Sequence, residues 1–199
     1  MQIQQNGVNK SPSPKIDGHR LLTKNTRTSY THYYEVLNWD SPEWKKAWPQ
    51  LIKDVPTIIQ NADVPLQGPD ERIADTTPSP EEDDEGLRPP PPPIVKLDEG
   101  IDINGVEEEG HEPLIINPRE QEWSFVKTAH KPYDLVVACV LLRAALLAPG
   151  QFKLSSDGYW TYEDEWGVVR DLYRKIWPGE EISCPWGDDD ADQEPVGNS

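Results

Sequence analysis

The longest amphipathic pattern in the chain predicts a helix in its first third. From Trp44 to Ile59, apolar residues recur at three- and four-residue spacings, which is typical of a helix with one buried stripe. The preceding stretch DSPEW supplies a capping residue, a proline at the first helical position and an acid in the first turn. Pro49 and Pro56 lie inside the stripe and each removes a backbone donor, so we expect this helix to be kinked or divided.

The second half of the chain predicts two more helices. One begins around Lys131 or Pro132, is apolar on nearly all faces, and ends at the APG that closes with Gly150. The other is EDEWGVVRDLYRKIWPG, which has apolar residues on one face, acids early, bases late and a Pro-Gly stop. All local signals in this last segment agree, as expected for a well-specified helix.

Several short segments have the alternation or the β-branched and aromatic content of strands. THYYEVLNW predicts one strand, and GIDIN with PLIIN predicts a hairpin with a long loop. WSFVK and FKLSS each predict a further strand. The predicted fold class is therefore α+β: one small antiparallel sheet of three or four strands packed against about three helices.

Segments without apolar periodicity set the predicted domain boundaries. Residues 1–28 are predicted to be a disordered basic arm, and residues 181–199 an acidic disordered tail. Between them, residues 29–180 form a single α+β domain with a disordered, Pro-rich acidic insertion at about 70–98. Within that insertion RPPPPP favours polyproline II, either as a stiff loop or as a ligand for an aromatic groove of the SH3 or WW kind.

The charge of the chain limits its partners. The formal net charge of −17, from 36 acids and 19 bases, repels nucleic acid and anionic membranes, so direct DNA binding is not expected. Two cysteines and an N-terminus without an apolar leader predict a reducing, cytoplasmic setting, which is the host cytoplasm if the protein is encoded by a phage. The apolar run Leu135–Ala148 is shorter than the roughly 20 residues that a membrane span needs. We expect no membrane association and no cofactor.

Three segments together carry a family resemblance. KTAHKPYDLVVACVLLRA, then SSDGYW and then EDEWGVVRDLYRKIWP resemble a C-terminal module of uncharacterised small proteins of tailed phages and prophages. The resemblance covers about residues 101–178, and its most specific elements are Lys131–Asp134 and Ser156–Gly158. It implies no activity, so no catalytic residue is carried over.

Basic and titratable side chains cluster just before the most apolar helix. Lys127, His130 and Lys131 lie where free backbone N–H groups and the helix dipole favour an anion. A phosphate or carboxylate site is one interpretation. The other is a purely structural helix start, with Asp134 in the first turn occupying the anion position and Tyr133 packing into the core.

Two other groups of residues are candidates for function. Ser155, Ser156 and Asp157 would supply, with His130, the residue types of a nucleophilic triad, although the same residues make local hydrogen bonds in an ordinary turn. Trp160 and Trp186 fit no helical face and are candidate partner contacts. The acidic runs at 107–112 and 188–192 lack the ligand spacing of known metal loops, so we predict no metal site.

Two functional hypotheses follow from these features. The first is an accessory protein that binds another protein, such as a host factor, in one variant by mimicking nucleic acid with ordered acids. The second is a small enzyme or anion-binding domain, with its site between the 127–134 helix entry and the 155–158 turn. The sequence predicts neither the partner nor the oligomeric state.

Overall fold

The computed structural model describes residues 29–69, 89–118 and 123–187. The predicted arm at 1–28, most of the predicted insertion and most of the predicted acidic tail lie outside the described residues. The α+β class is confirmed, and the described ranges contain three α-helices and two small antiparallel sheets. Among the described residues, no helix has the length and hydropathy that crossing a membrane requires.

Helix α1, Pro42–Ala62, is one continuous element despite its two internal prolines. Ser41 caps it by accepting a hydrogen bond from the Trp44 amide at 3.1 Å. The predicted division is wrong because Pro49 and Pro56 both lie on the exposed side, where the carbonyls that they leave unpaired can bind water. The opposite side of α1 is buried in the core and holds the helix together.

Helix α2, Asp134–Leu147, is the centre of the fold, and ten consecutive residues from Val136 to Ala145 are buried. It begins two or three residues later than predicted. The reason is that Ala129 and His130 adopt positive φ angles of 52° and 57°, so the chain passes through a left-handed turn before it becomes helical. Helix α3, Val168–Ile176, follows a π-helical turn at Glu163–Gly167.

The strands form two sheets, where the sequence pattern predicts one. The first has the order β6–β1–β7, in which β6 is Ser124–Lys127, β1 is Thr31–Val36 and β7 is Phe152–Ser156. In the second, β4 (Gly100–Gly105) lies between β2 and β3 and also pairs with β5. The three partners of β4 are β2 (Leu66–Gln67), β3 (Ile94–Lys96) and β5 (Leu114–Ile116).

The predicted hairpin of β4 and β5 is confirmed, with Ile101 opposite Ile116. The predicted strand WSFVK also forms, as β6, but it pairs with β1 and not with the hairpin. Both edges of β1 are therefore occupied, by β6 and by β7. All these pairs are antiparallel.

Two predicted boundaries need correction. The insertion at about 70–98 is too long, because Ile94–Lys96 is a strand and the Gly68 amide donates to the Pro91 carbonyl at 2.7 Å. The tail does not begin at residue 181, because Trp186 packs against Trp166 with a centroid distance of 4.9 Å. In both places the segment is polar or proline-rich in local composition. It is nevertheless ordered, because it makes apolar or backbone contacts with residues far away in the sequence.

Candidate functional site

The outer face of the β6–β1–β7 sheet presents a row of three side chains. Tyr33 on β1 lies directly opposite Phe125 on β6 and Ser155 on β7. Successive side chains of a strand alternate between faces, so the neighbours His32 and Tyr34 point inward and are buried. The sheet is therefore covered by the core on one side and open on the other.

Aromatic rings dominate this open side. Trp123 and Phe125 are 57% and 51% exposed, which marks them as exceptions among large apolar side chains. The Trp123 ring stacks on the Tyr33 ring at a centroid distance of 5.7 Å and an interplanar angle of 20°. It also contacts the Phe125 ring at 5.8 Å. We call the surface formed by Tyr33, Trp123 and Phe125 the aromatic face.

Polar and charged residues surround the aromatic face. The Tyr33 hydroxyl donates to the Asp157 carboxylate at 3.2 Å, which fixes the ring on which Trp123 stacks. Glu35 lies opposite Lys153 in the next row of the outer face, and Lys127 opposite Thr31 in the row on the other side. The surface thus has an apolar centre and a rim that carries both signs of charge, which is the usual anatomy of a protein–protein interface.

Protein groups contact each of the three residues predicted to form an anion site at the helix entry. The Lys131 ammonium donates to the Glu108 carbonyl at 2.6 Å, and the Lys127 amide donates to the Glu112 carboxylate at 2.8 Å. The exposed His130 ring lies on the Tyr30 ring, at a centroid distance of 3.8 Å. The protein's own acceptors therefore bind the Lys131 ammonium and the Lys127 amide, and His130 packs against Tyr30.

Asp134 is the first residue of α2, and its carboxylate bonds to buried side chains. Its Oδ1 atom accepts hydrogen bonds from His32 Nε2 at 2.8 Å and from the Thr128 hydroxyl at 2.5 Å. His32 and Thr128 are fully buried. This network joins β1 to α2, and its histidine has no access to a substrate.

The packing of Tyr133 is confirmed: it is buried, and its hydroxyl donates to the Glu112 carbonyl at 2.6 Å.

The serines and the aspartate of the predicted turn have structural partners. The Ser156 hydroxyl oxygen accepts from the Gly158 amide at 3.0 Å and from the Trp166 indole at 3.1 Å. Asp157 accepts from Tyr33, and Ser155 lies on the outer face of the sheet beside the same tyrosine. Two of the candidate turn residues thus belong to the surroundings of the aromatic face.

Tyr30 fills the space between the helix entry and the turn. It is almost completely buried, and its ring contacts both His130 and Gly158. Burial and the neighbouring Asp134 and Glu165 carboxylates raise the pKa of its phenol. The ring occupies the place where the second hypothesis requires a pocket, so the geometry gives no support to a triad of His130, Ser156 and Asp157.

Of the two predicted tryptophan contacts, Trp160 belongs to the core and Trp186 packs against it. Trp160 is only 8% exposed, and its ring contacts those of Trp166 and Trp186 at 5.7 Å each. The Arg170 guanidinium lies 5.2 Å from the Trp160 centroid. Trp186 is half-buried in the same cluster. Mutual aromatic packing therefore buries Trp160 and leaves Trp186 only partly exposed.

The described acidic loop at 107–109 is a short 3-10 turn of exposed side chains. In the described parts of the chain, no group of three His, Cys, Asp or Glu side chains has an arrangement that could hold a metal ion. The other acidic run, at 188–192, lies outside the described residues.

Comparison with known proteins found no matching family model, no matching curated protein and no matching solved structure.

Sequence reasoning missed the aromatic face, although a signal for it was present. In WSFVK, Trp123, Phe125 and Lys127 alternate with Ser124 and Val126, so one face of the predicted strand carries both aromatic rings. Because Val126 lies on the buried face of this strand, the two rings lie on the opposite face and are exposed unless another layer covers them. Tyr33 was not detected because THYYEV has large side chains on both faces.

Proposed function

We propose that this chain is an accessory protein, of the phage type that its sequence resembles, and that it acts by binding another protein through the aromatic face. The observation that carries the proposal is the exposure of two large aromatic side chains, Trp123 and Phe125, in contact on one sheet face. Contiguous exposed apolar patches of this kind mark interaction sites. Tryptophan and tyrosine are also the residues that most often dominate binding energy at protein interfaces.

The aromatic face is already ordered for binding. Tyr33 is held by its ring stack with Trp123 and by its hydrogen bond to Asp157, and β1 is paired on both edges. Rings with few rotatable bonds on a rigid sheet lose little conformational entropy when a partner covers them. The mixed charges at the rim then favour a protein partner over a nucleic acid, which would be repelled by the net charge of −17.

The nucleic-acid mimicry variant requires carboxylates that are held at fixed positions relative to one another. The acidic runs at 81–85 and 188–192 that would supply it lie outside the described residues. The proposal therefore rests on the aromatic face alone, and the two mechanisms differ in their salt dependence. Binding through aromatic contacts persists at high salt, whereas mimicry weakens steeply.

The test compares three forms of the full chain in affinity capture from native cells at low and high salt. These are the wild type, the double variant Trp123→Ala/Phe125→Ala, and Val168→Ala as a control with a similarly exposed apolar residue on α3. A protein captured by the wild type is then purified and titrated against all three forms. We expect the double variant to bind about 30-fold more weakly or worse, as for the loss of an interface hot spot, and the control to bind normally.

Equal affinity of the double variant and the wild type would overturn the proposal. So would saturable binding of a single-stranded oligonucleotide that depends on Trp123 and Phe125, because aromatic sheet faces can also stack bases. Self-association of the pure protein that is lost in the double variant would likewise replace the proposed partner by a second copy of the chain.

A further inference from the structure

The proline run Pro89–Pro93 is an ordered part of the fold. Its five successive residues lack backbone N–H groups and have restricted φ angles, so the run favours the extended, three-residue-per-turn polyproline II helix. Such a helix has no internal hydrogen bonds and leaves its carbonyls available to other groups. One of these carbonyls is used: Pro91 accepts from the Gly68 amide at 2.7 Å.

Gly68 allows the close approach that anchors the run. A Cβ atom at this position would lie 2.2 Å from the Pro92 carbonyl oxygen, so no side chain fits there without movement of the backbone. Immediately after Pro93, the chain enters β3, whose Ile94 pairs with Asp102 of β4. The run is therefore anchored in its middle by Gly68 and at its C-terminal end by the four-stranded sheet.

The exposure of the prolines follows this anchoring. Pro89, Pro90 and Pro92 are exposed, while Pro91 and Pro93 are half-buried. With three residues per turn, residues i and i+3 share one edge of a polyproline II helix. In that geometry Pro89 and Pro92 share one exposed edge, while Pro91 is half-buried. We call the edge formed by Pro89 and Pro92 the proline ridge.

We propose that the proline ridge is a second docking site, and that its partner is a domain with an aromatic-lined groove that binds polyproline II segments. Such grooves take a proline and the residue three positions further along into adjacent pockets, which is the spacing of Pro89 and Pro92. They gain affinity because a polyproline helix is already extended and loses little entropy on binding. Anchoring by Gly68 and β3 lowers that entropy loss further.

The proline ridge and the aromatic face belong to different elements. The ridge leads into β3 of the four-stranded sheet, whereas the aromatic face lies on β1, β6 and the residue just before β6 in the three-stranded sheet. The inference therefore goes beyond the proposed function, and each site can be removed without altering the other. One chain would then connect two partners, with one bound at each surface.

The test titrates the full chain by calorimetry with three purified probes: a WW domain, an SH3 domain and an EVH1 domain. We expect saturable binding to at least one probe. The double variant Pro89→Ala/Pro92→Ala should weaken that binding by about tenfold or more, while its far-ultraviolet circular dichroism stays unchanged because both side chains are exposed. Trp123→Ala/Phe125→Ala should bind the same probe with wild-type affinity.

Three results would overturn the inference. The first is no binding of the wild type to any of the three probes, and the second is equal binding of the wild type and the proline variant. The third is binding lost in Trp123→Ala/Phe125→Ala and kept in Pro89→Ala/Pro92→Ala, which would assign the probe to the aromatic face. Self-association that requires both surfaces would count against an external domain, because the aromatic face of a second copy would then be the occupant.

Discussion

The Arg143 guanidinium donates to the Asp54 carboxylate across 2.7 Å in the protein interior, and this contact joins α2 to α1. The same guanidinium donates to the Tyr173 hydroxyl at 2.6 Å and to the Glu180 carboxylate at 2.5 Å. It also lies 4.1 Å from the centroid of the Trp177 ring. A single cation in the core of the helical layer is thus bonded to α1, α3 and the segment that follows α3.

Loss of one member of this pair should strongly destabilise the fold. In Asp54→Ala the Arg143 guanidinium keeps its burial and the Glu180 carboxylate but loses its Asp54 partner, so we expect the free energy of unfolding to fall by about 1–3 kcal/mol. The double variant Asp54→Leu/Arg143→Met should lose less than Asp54→Ala, since Tyr173 can still donate to Glu180 at 2.7 Å. Urea unfolding measures both. A loss below about 1 kcal/mol in Asp54→Ala would mean that water already reaches this cation.

The contact of Gly158 with Tyr30 predicts a steric effect. A Cβ atom at Gly158 would lie 2.1 Å from the Tyr30 hydroxyl oxygen, and the buried ring has little room to move. We expect Gly158→Ala to cost about 1–3 kcal/mol of stability, as overpacked cores do. Gly179→Ala is the matched control, because no atom lies within 4 Å of the added methyl group. Thermal unfolding of the two variants should differ; equal melting temperatures would refute the close packing of Tyr30.

Four buried tyrosines predict that the fold loses stability at alkaline pH. Burial raises the pKa of Tyr34 to about 12, and it raises the pKa values of Tyr30, Tyr133 and Tyr173 as well. A phenol whose pKa is higher in the folded state stabilises the fold fully below its unfolded pKa of about 10, and that contribution is lost as the pH rises toward the folded value. The free energy of unfolding should therefore fall between pH 10 and 12.

This alkaline effect is measurable by urea unfolding at a series of pH values. Tyr34→Phe removes one of the four phenols, so its stability should decline less steeply over that pH range than that of the wild type. Tyrosinate absorbance should also appear in two steps, the second of them together with unfolding. If all seven tyrosines titrated in one step near pH 10 in the folded protein, the burial of these rings would be contradicted.

The thiol of Cys139 should be inert in the native protein. Burial inside α2 raises its pKa to about 12, with the Arg143 charge opposing this shift only partly. Thiolate is the reactive form, so alkylation at pH 8 should leave the Cys139 peptide unmodified until denaturant is added. Peptide mapping by mass spectrometry measures this protection. Rapid modification of Cys139 without denaturant would show that α2 opens readily.

Local patterns predicted much of this fold, because each helix and most strands carry their own periodicity. The stripe of α1, the apolar content of α2 and the agreement of signals in α3 depend only on neighbouring residues. The division into two sheets could not be predicted in this way. Strand β6 pairs with β1, whose residues lie about ninety positions earlier, and no local signal specifies such a partner.

The candidate site shows the same limit. Ser155 and Asp157 were predicted to act with His130, but the structure places both beside Tyr33. Lys127 was predicted to act at the helix entry, and sheet register places it opposite Thr31. Likewise, Trp160 and Trp186 were candidate partner contacts because they fit no helical face, and their rings pack against each other. Exposure depends on the whole tertiary structure, whereas periodicity shows only which residues share a face.

The most direct test of the aromatic face is fluorine NMR of the protein labelled with 5-fluorotryptophan, with the Trp123 signal assigned by Trp123→Phe. Native cell extract or the purified partner is added, and Trp44 and Trp166, both buried, serve as internal references. We predict that the Trp123 resonance shifts or broadens while the two reference resonances remain unchanged. An unchanged Trp123 resonance in the presence of a bound partner would contradict the assignment of this face as the binding surface.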